Sequence, residues 1–254
     1  MIAAKPLAQE GGHWYAKDGS PMYTVTAKNG EPRATTLRDA KKMGLLPSVT
    51  TIMKAAASPG LEAWKLNQMM LAALTLPRMD GENEESFIKR IQADSKEQAR
   101  KAAERGTAVH EAIERFFDGQ IEAENLPYLE PVYKKIEQHF GILNWSVEKS
   151  FAFETYAGKV DLHSLDGDGV VIDFKTKEFT SETLEKVAGF DENVMQLSAY
   201  RVGLEIPKAR CANVFVSVTE PGLVVVREWN PEELDRGWKM FDALKTYWYA
   251  KSGL

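Results

Sequence analysis

Between residues 146 and 176 the chain falls into three short runs of alternating or continuous apolar character, 146–154, 158–165 and 170–176. Tyr156-Ala157 separates the first two and Asp166-Gly167-Asp168-Gly169 the last two, and a period of two broken by turn residues predicts a three-strand meander. Further strands are predicted over 212–218 and 223–228. Elsewhere the apolar period is helical. Phe87, Ile91, Ala99, Ala102, Ala103, Val109, Ile113 and Phe116 or Phe117 mark a long helix over 86–117, interrupted at Gly106 and ended by Asp118-Gly119. Shorter helices are predicted over 128–140, 194–204 and 231–250, the last with Pro231 in its first turn. Pro47-Ser48-Val49-Thr50-Thr51 offers a hydroxyl cap for a helix over 52–57, and Pro59-Gly60 breaks it before another over 61–76. Residues 13–25 alternate around Lys17-Asp18-Gly19-Ser20 and predict a hairpin, whereas 77–85 is polar and turn-rich and predicts a loop. The pattern is α/β, with a hairpin and mostly helical portion over 1–105 and a sheet-containing core over 106–254, the two able to form one continuous domain.

Composition narrows the classes. An apolar fraction of 44% in 254 residues is enough for a sizeable core. The single cysteine, Cys211, excludes an internal disulfide, a four-cysteine zinc site and a four-thiolate iron–sulfur cluster, and fits a reducing cytosol. No Walker-type glycine loop is present, so no ATP site is expected. The first twelve residues contain one lysine and no apolar leader core, and no later run resembles a membrane span, so no membrane partner is expected. The net charge of −5 is unevenly spread: residues 1–105 carry 16 Lys/Arg against 12 Asp/Glu, residues 106–170 carry 5 against 12, and residues 171–254 carry 11 against 13. An acid-rich centre beside a more basic start suits a cation site next to a phosphate-tracking surface, although a solvated acidic face has the same composition.

The candidate chemistry lies in the meander. Alternation puts Asp173 and Lys175 on one face of the third run and Ile172 and Phe174 on the other, while Val170, Val171 and Ile172 mark a buried strand. Asp161 lies in the preceding run. Carboxylates on neighbouring strands can hold Mg²⁺ or Mn²⁺, the Phe174 carbonyl can add a ligand, and Lys175 can orient or help deprotonate a water. A lone D-x-K triplet is more often an ion pair at a strand end. His110 and Glu114 share a helical face after Gly106, and Gln196 and Tyr200 share another; each pair alone also reads as structural.

Taken in order, Gly106 and His110, Gly158 and Asp161, Asp173 and Lys175, then Gln196 and Tyr200 form G-x-x-x-H, G-x-x-D, D-x-K and Q-x-x-x-Y. This succession resembles the RecB-like exonucleases of the PD-(D/E)xK superfamily. Residues 46–52 and 60–65 are similar to the N-terminal segment of phage-encoded and mitochondrial genome-maintenance members. The resemblance implies a restriction-endonuclease-like core, a central mixed sheet flanked by helices. It implies His110, Asp161 and Asp173 as metal ligands and Lys175 as the catalytic lysine, with Gln196 and Tyr200 near substrate or bracing the site. Val160 stands where the motif has proline, and Asp173 where many relatives have Glu.

The expected function is metal-dependent exonucleolytic hydrolysis of DNA, single-stranded or end-processed duplex, in recombination, repair or DNA processing in a bacterial or phage-infected cytosol. A single-strand annealing or recombination protein is a possible partner. Lys89, Arg90, Arg100, Lys101 and Arg105 are candidates to guide the strand, and Glu114 and Glu148 to support the site. Two alternatives stay open: a structure-specific or CRISPR-adaptation-like endonuclease, and an inactive DNA-binding accessory protein.

Overall fold

The computed structural model describes residues 12–56, 58–120, 122 and 126–254. The leader reading of residues 1–11 lies outside the described residues, as does Ala57, but the first short helix expected over 52–57 is found over Val49–Met53 and has ended before residue 54. The chain divides into two compact units. One takes in the described residues up to Ala55 together with Glu114–Leu254, and the other is Ala56–Ile113. The sequence pattern had placed a boundary at residue 105; the structure instead groups the N-terminal segment with the sheet.

In the sheet unit, β5 (Ser146–Phe153), β6 (Tyr156–Ser164), β7 (Val170–Lys177), β8 (Arg210–Ser217) and β9 (Val224–Trp229) form a mixed sheet in that spatial order. Only β7 and β8 run parallel, joined by a crossover through α6 (Asp191–Gly203). β7 is therefore central, as its run of β-branched residues predicts. The fold class is mixed α/β with helices against the sheet. The predicted meander and helices appear within a few residues of their expected bounds.

α6 lies against the sheet and α7 (Pro231–Ser252) against α6. α7 begins at an Asn230–Glu233 capping box with Pro231 in the first turn, and Gly253 ends it in the left-handed conformation. The Ser198 hydroxyl donates to the Val194 carbonyl at 2.6 Å and lies 2.8 Å from the Leu234 carbonyl, tying the two helices together. Phe151, Tyr156, Val160, Val171, Leu197, Tyr200, Cys211, Trp229 and Phe241 belong to the core cluster here. Gly158 is required by this packing: a Cβ there would meet the Phe151 ring at 2.8 Å and the Tyr200 ring at 3.0 Å. The glycine of the predicted G-x-x-D motif thus makes room for the tyrosine of the predicted Q-x-x-x-Y motif.

The N-terminal segment departs from the expected hairpin. Lys17-Asp18-Gly19-Ser20 does form a turn, with Tyr15 bridging to Pro21, but β1 (Trp14–Tyr15) pairs with β4 (Leu46–Pro47). A separate hairpin, β2 (Thr24–Thr26) with β3 (Pro32–Ala34), turns at Asn29-Gly30. α1 (Leu37–Met43) follows behind a Thr36–Asp39 capping box. Ser48 caps α2 (Val49–Met53), and its backbone bridges to Ala157, so the P-S-V-T-T stretch is anchored on the start of β6. α5 (Leu126–Phe140) completes this unit.

The second unit holds α3 (Pro59–Thr75) and most of α4 (Glu84–Phe117). α4 runs through Gly106 without a break, because one glycine costs only about 1 kcal/mol in a helix of this length. Arg90 donates to Glu82 and to the Pro77 carbonyl, which fixes the expected loop between the helices.

Candidate active site

The site begins where two strands part. The β6–β7 ladder pairs Ser164 with Val170, His163 with Val171 and Leu162 with Ile172, and stops one pair short of Asp161 and Asp173. In place of the missing ladder bond, Asp161 Oδ2 accepts the Phe174 N–H at 2.8 Å. A carboxylate satisfies a buried backbone donor that would otherwise be orphaned, and it is thereby held beside Asp173.

A second irregularity aims Asp161. Tyr156, Gly158 and Val160 face α6: the Tyr156 hydroxyl donates to the Ala199 carbonyl, and Val160 packs in the same cluster. Val171 also packs there, and Lys175 reaches Gln196 of α6. Strict alternation through the observed register would place these two groups on opposite faces. The pleat therefore changes phase between Val160 and Leu162. On β5 the position opposite Asp161 is Glu148, which has φ of +51° and is skipped by a ladder that is otherwise in register on both sides. A non-glycine residue in this conformation is costly, and such strain concentrates at functional sites.

Around Asp173 the polar groups form a connected chain. Lys175 Nζ donates to Asp173 Oδ1 at 2.8 Å and to Gln196 Oε1 at 3.2 Å, and Gln196 Nε2 donates to the Tyr200 hydroxyl at 2.9 Å. On the other side Asn213 Nδ2 donates to Asp173 Oδ2 at 2.7 Å, and the Trp229 indole N–H donates to Asn213 Oδ1 at 2.7 Å. Asp173 is 1% exposed while the Lys175 side chain keeps 31% of its surface, so the acid is sealed and part of the lysine side chain meets solvent while its ammonium is held by Asp173 and Gln196.

Burial, followed by the negative charge of Asp173, pushes the Asp161 carboxyl up to about 7, with Lys175 and the Phe174 N–H opposing. Burial works against the Lys175 ammonium, but Asp173 and Asp161 outweigh it and its pKa rises. Lys175 thus stays a cation near neutrality, which suits orienting and charge stabilisation better than proton abstraction. Burial, together with both carboxylates, raises Tyr200 well above its ordinary value, so its phenol remains protonated.

The structure brings together Asp161, Asp173, Lys175, Gln196 and Tyr200, with Phe174 between the acid and the lysine. Glu148 is paired with Lys159 rather than with the acids. Glu114 lies on the part of α4 that belongs to the sheet unit, and His110 on the part that belongs to the other. The proposed guiding residues lie in that second unit, and four of them meet carboxylates. Lys89 pairs with Glu85, Arg90 with Glu82, Arg100 with Glu97 and Glu104, and Lys101 approaches Glu97 at 4.0 Å. Asn213 and Trp229 are the residues that motif reading misses, since nothing local in β8 or β9 marks them.

No family model matches this chain, and no curated protein does. Among solved structures, the crystal structure of SSO0001 aligns at 14% identity with a TM-score of 0.28, covering 72% of this chain and 86% of that one. A likeness of that degree carries no argument about fold or activity.

Proposed function

We propose that this chain is a divalent-cation-dependent deoxyribonuclease with a PD-(D/E)xK core of the RecB-like kind, hydrolysing phosphodiesters from free DNA ends. The observation that carries the reading is the buried Asp173 and half-buried Asp161 at the parting of β6 and β7, with Lys175 on the same face and Gln196 and Tyr200 behind it. Burial first, and then the charge of Asp173, raises the Asp161 carboxyl, and a site that holds two acids together at such a cost suits a cation.

The donor chemistry fits Mg²⁺ or Mn²⁺. Asp161, Asp173 and the Phe174 carbonyl would hold the ion. Two carboxylates and a carbonyl are oxygen donors, the kind a hard ion takes while it keeps waters and phosphate oxygens in its other positions. When bound, the cation supplies charge neutralisation at the scissile phosphate and a more acidic water. Lys175 then places an ammonium beside the attacked phosphorus. Gln196 steadies that ammonium through its carbonyl oxygen, and its amide is therefore turned to donate to Tyr200. Tyr200 in turn keeps its own proton to give.

The test uses end-labelled linear DNA beside covalently closed circles, with Mg²⁺, Mn²⁺ or chelator. Cation-dependent shortening of linear strands is expected, with closed circles spared and with Asp173→Ala and Lys175→Ala at least about 100-fold slower while still folded. Full activity of Asp173→Ala, purified free of host nucleases, would remove the assignment, and circles cut as fast as linear strands would replace end-dependent action with endonucleolytic action.

A further inference from the structure

Asp173 is gripped from two sides, and only one grip belongs to the motif residues. Lys175 draws the carboxylate along its own strand, whereas Asn213 holds it from β8, where the parallel register sets Asn213 directly beside it. An Asn amide can present either its oxygen or its nitrogen, and the oxygen would repel a carboxylate. Trp229 removes that ambiguity. Its indole N–H can only donate, so the Asn213 oxygen must face it and the Asn213 nitrogen must face Asp173. The indole is itself immobilised: the Arg227 guanidinium lies over the ring at 4.8 Å, and a side chain at Gly189 would collide with the ring. Asn213 is completely buried and Trp229 is 5% exposed, so water does not compete for either bond.

Resting on the proposed nuclease reading, we infer that Asn213 is a positioning residue for Asp173, locked in its working orientation by Trp229. Lys175 Nζ lies 2.8 Å from both Asp173 oxygens, so the ion pair alone does not fix the tilt of the carboxylate, and Asn213 on Oδ2 sets its plane from β8. Polar partners that orient a ligand in this way are typically worth about 10–100-fold in metal affinity or activity.

The measurements are Mn²⁺ affinity by calorimetry on the full chain, kcat and KM on linear DNA, and thermal stability without metal. Asn213→Ala should weaken Mn²⁺ binding about 10-fold and lower kcat about 10–100-fold, with KM for DNA nearly unchanged. Trp229→Phe keeps a ring in the slot and deletes only the donor, and it should act in the same direction by a smaller factor. In an Asn213→Ala background, Trp229→Phe should cost no further Mn²⁺ affinity, because the residue acts through the amide. Unchanged Mn²⁺ affinity in folded Asn213→Ala, or equal losses from Trp229→Phe in both backgrounds, would overturn the inference. Should Asn213→Ala not fold, Trp229→Phe alone decides: parental affinity and kcat overturn it, and a joint loss with KM held supports it. A parent protein that neither binds Mn²⁺ nor cuts DNA would remove the nuclease reading and this inference with it, whereas a parent that does both while the variants match it would remove only the inference.

Discussion

Asp161 shows how one side chain answers to structure and chemistry together. Its carboxylate replaces a ladder bond by accepting the Phe174 N–H, yet burial and the neighbouring Asp173 push its carboxyl up to about 7. A carboxyl raised above its unfolded value binds a proton in the folded state that it releases on unfolding. Its contribution to stability is then fully present below the unfolded pKa of about 4 and is lost as pH rises through about 7. The metal-free protein should therefore lose melting temperature between pH 5 and pH 8. Asp161→Asn keeps an oxygen acceptor for Phe174 and removes the charge. This variant should melt higher than the parent at pH 8 in chelator, by a few degrees at about 2–4 °C per kcal/mol for a chain of this size, with a flatter pH profile. Mn²⁺ should raise the parent's melting temperature at pH 8 and leave the variant's nearly unchanged. A variant whose melting temperature follows the parent's through the whole pH range in chelator would show that Asp161 is not the strained acid.

At the scale of the element, the meander combines what local pattern reveals with what it hides. The alternation of Asp173 and Lys175 against Ile172 and Phe174, and the i, i+4 relation of Gln196 and Tyr200, are local periodicities and appear in the structure as the sequence predicts. The phase change at Asp161 is not local. It depends on Glu148 adopting a positive φ on the opposite strand, and no residue type at 148 signals that. Asn213 and Trp229 reach the site only through the register of β7 with β8 and of β8 with β9, which links residues forty positions apart. The β1–β4 pairing was hidden for the same reason, whereas Asn29-Gly30 carries a hairpin signal that could have located β2 and β3. His163, buried at 4% exposure in β6, makes the meander itself sensitive to acid. Burial lowers its pKa and Lys149 adds to the effect, against an opposing hydrogen bond with the Ser146 backbone. A depressed histidine is neutral in the fold while the unfolded chain takes up a proton below about pH 6.5, so stability falls as pH drops from 6.5 toward the folded value. This opposes the Asp161 contribution, so the prediction is relative: in denaturant melts, the stability of His163→Gln minus that of the parent should increase from pH 7 to pH 5, and an unchanged difference would assign acid sensitivity elsewhere.

Across the whole molecule, charge and architecture divide at different places. The basic excess of residues 1–105 is carried entirely by residues 12–55, with seven Lys/Arg against three Asp/Glu, while residues 56–113 have eight against nine. The segment that groups with the sheet is thus the cationic one, and the helical unit is nearly neutral. Pairing sharpens the contrast. In the helical unit Lys89, Arg90 and Arg100 are engaged by carboxylates of their own unit, and a phosphate would have to displace those partners. Exposed pairs of this kind are worth only about 0–1 kcal/mol, so they can be displaced, but the local field they project is small. Among the described residues, Arg38, Lys41, Lys42 and Lys54 are exposed and have no carboxylate within ion-pair distance, since Asp39 is taken by Arg33. Counterions released by a bound strand come from cations of this second kind, each lowering the slope of log affinity against log salt by about 0.7–0.9 when removed. If the proposed DNA substrate is right, Lys41→Glu with Lys42→Glu should weaken binding and flatten that slope by one unit or more. Lys89→Glu with Arg100→Glu should change it less and should chiefly lower the stability of α4. The comparison is DNA binding by each double variant in chelator over a range of salt, with helicity followed in parallel; a larger slope change from the α4 pair would return strand guidance to the helical unit.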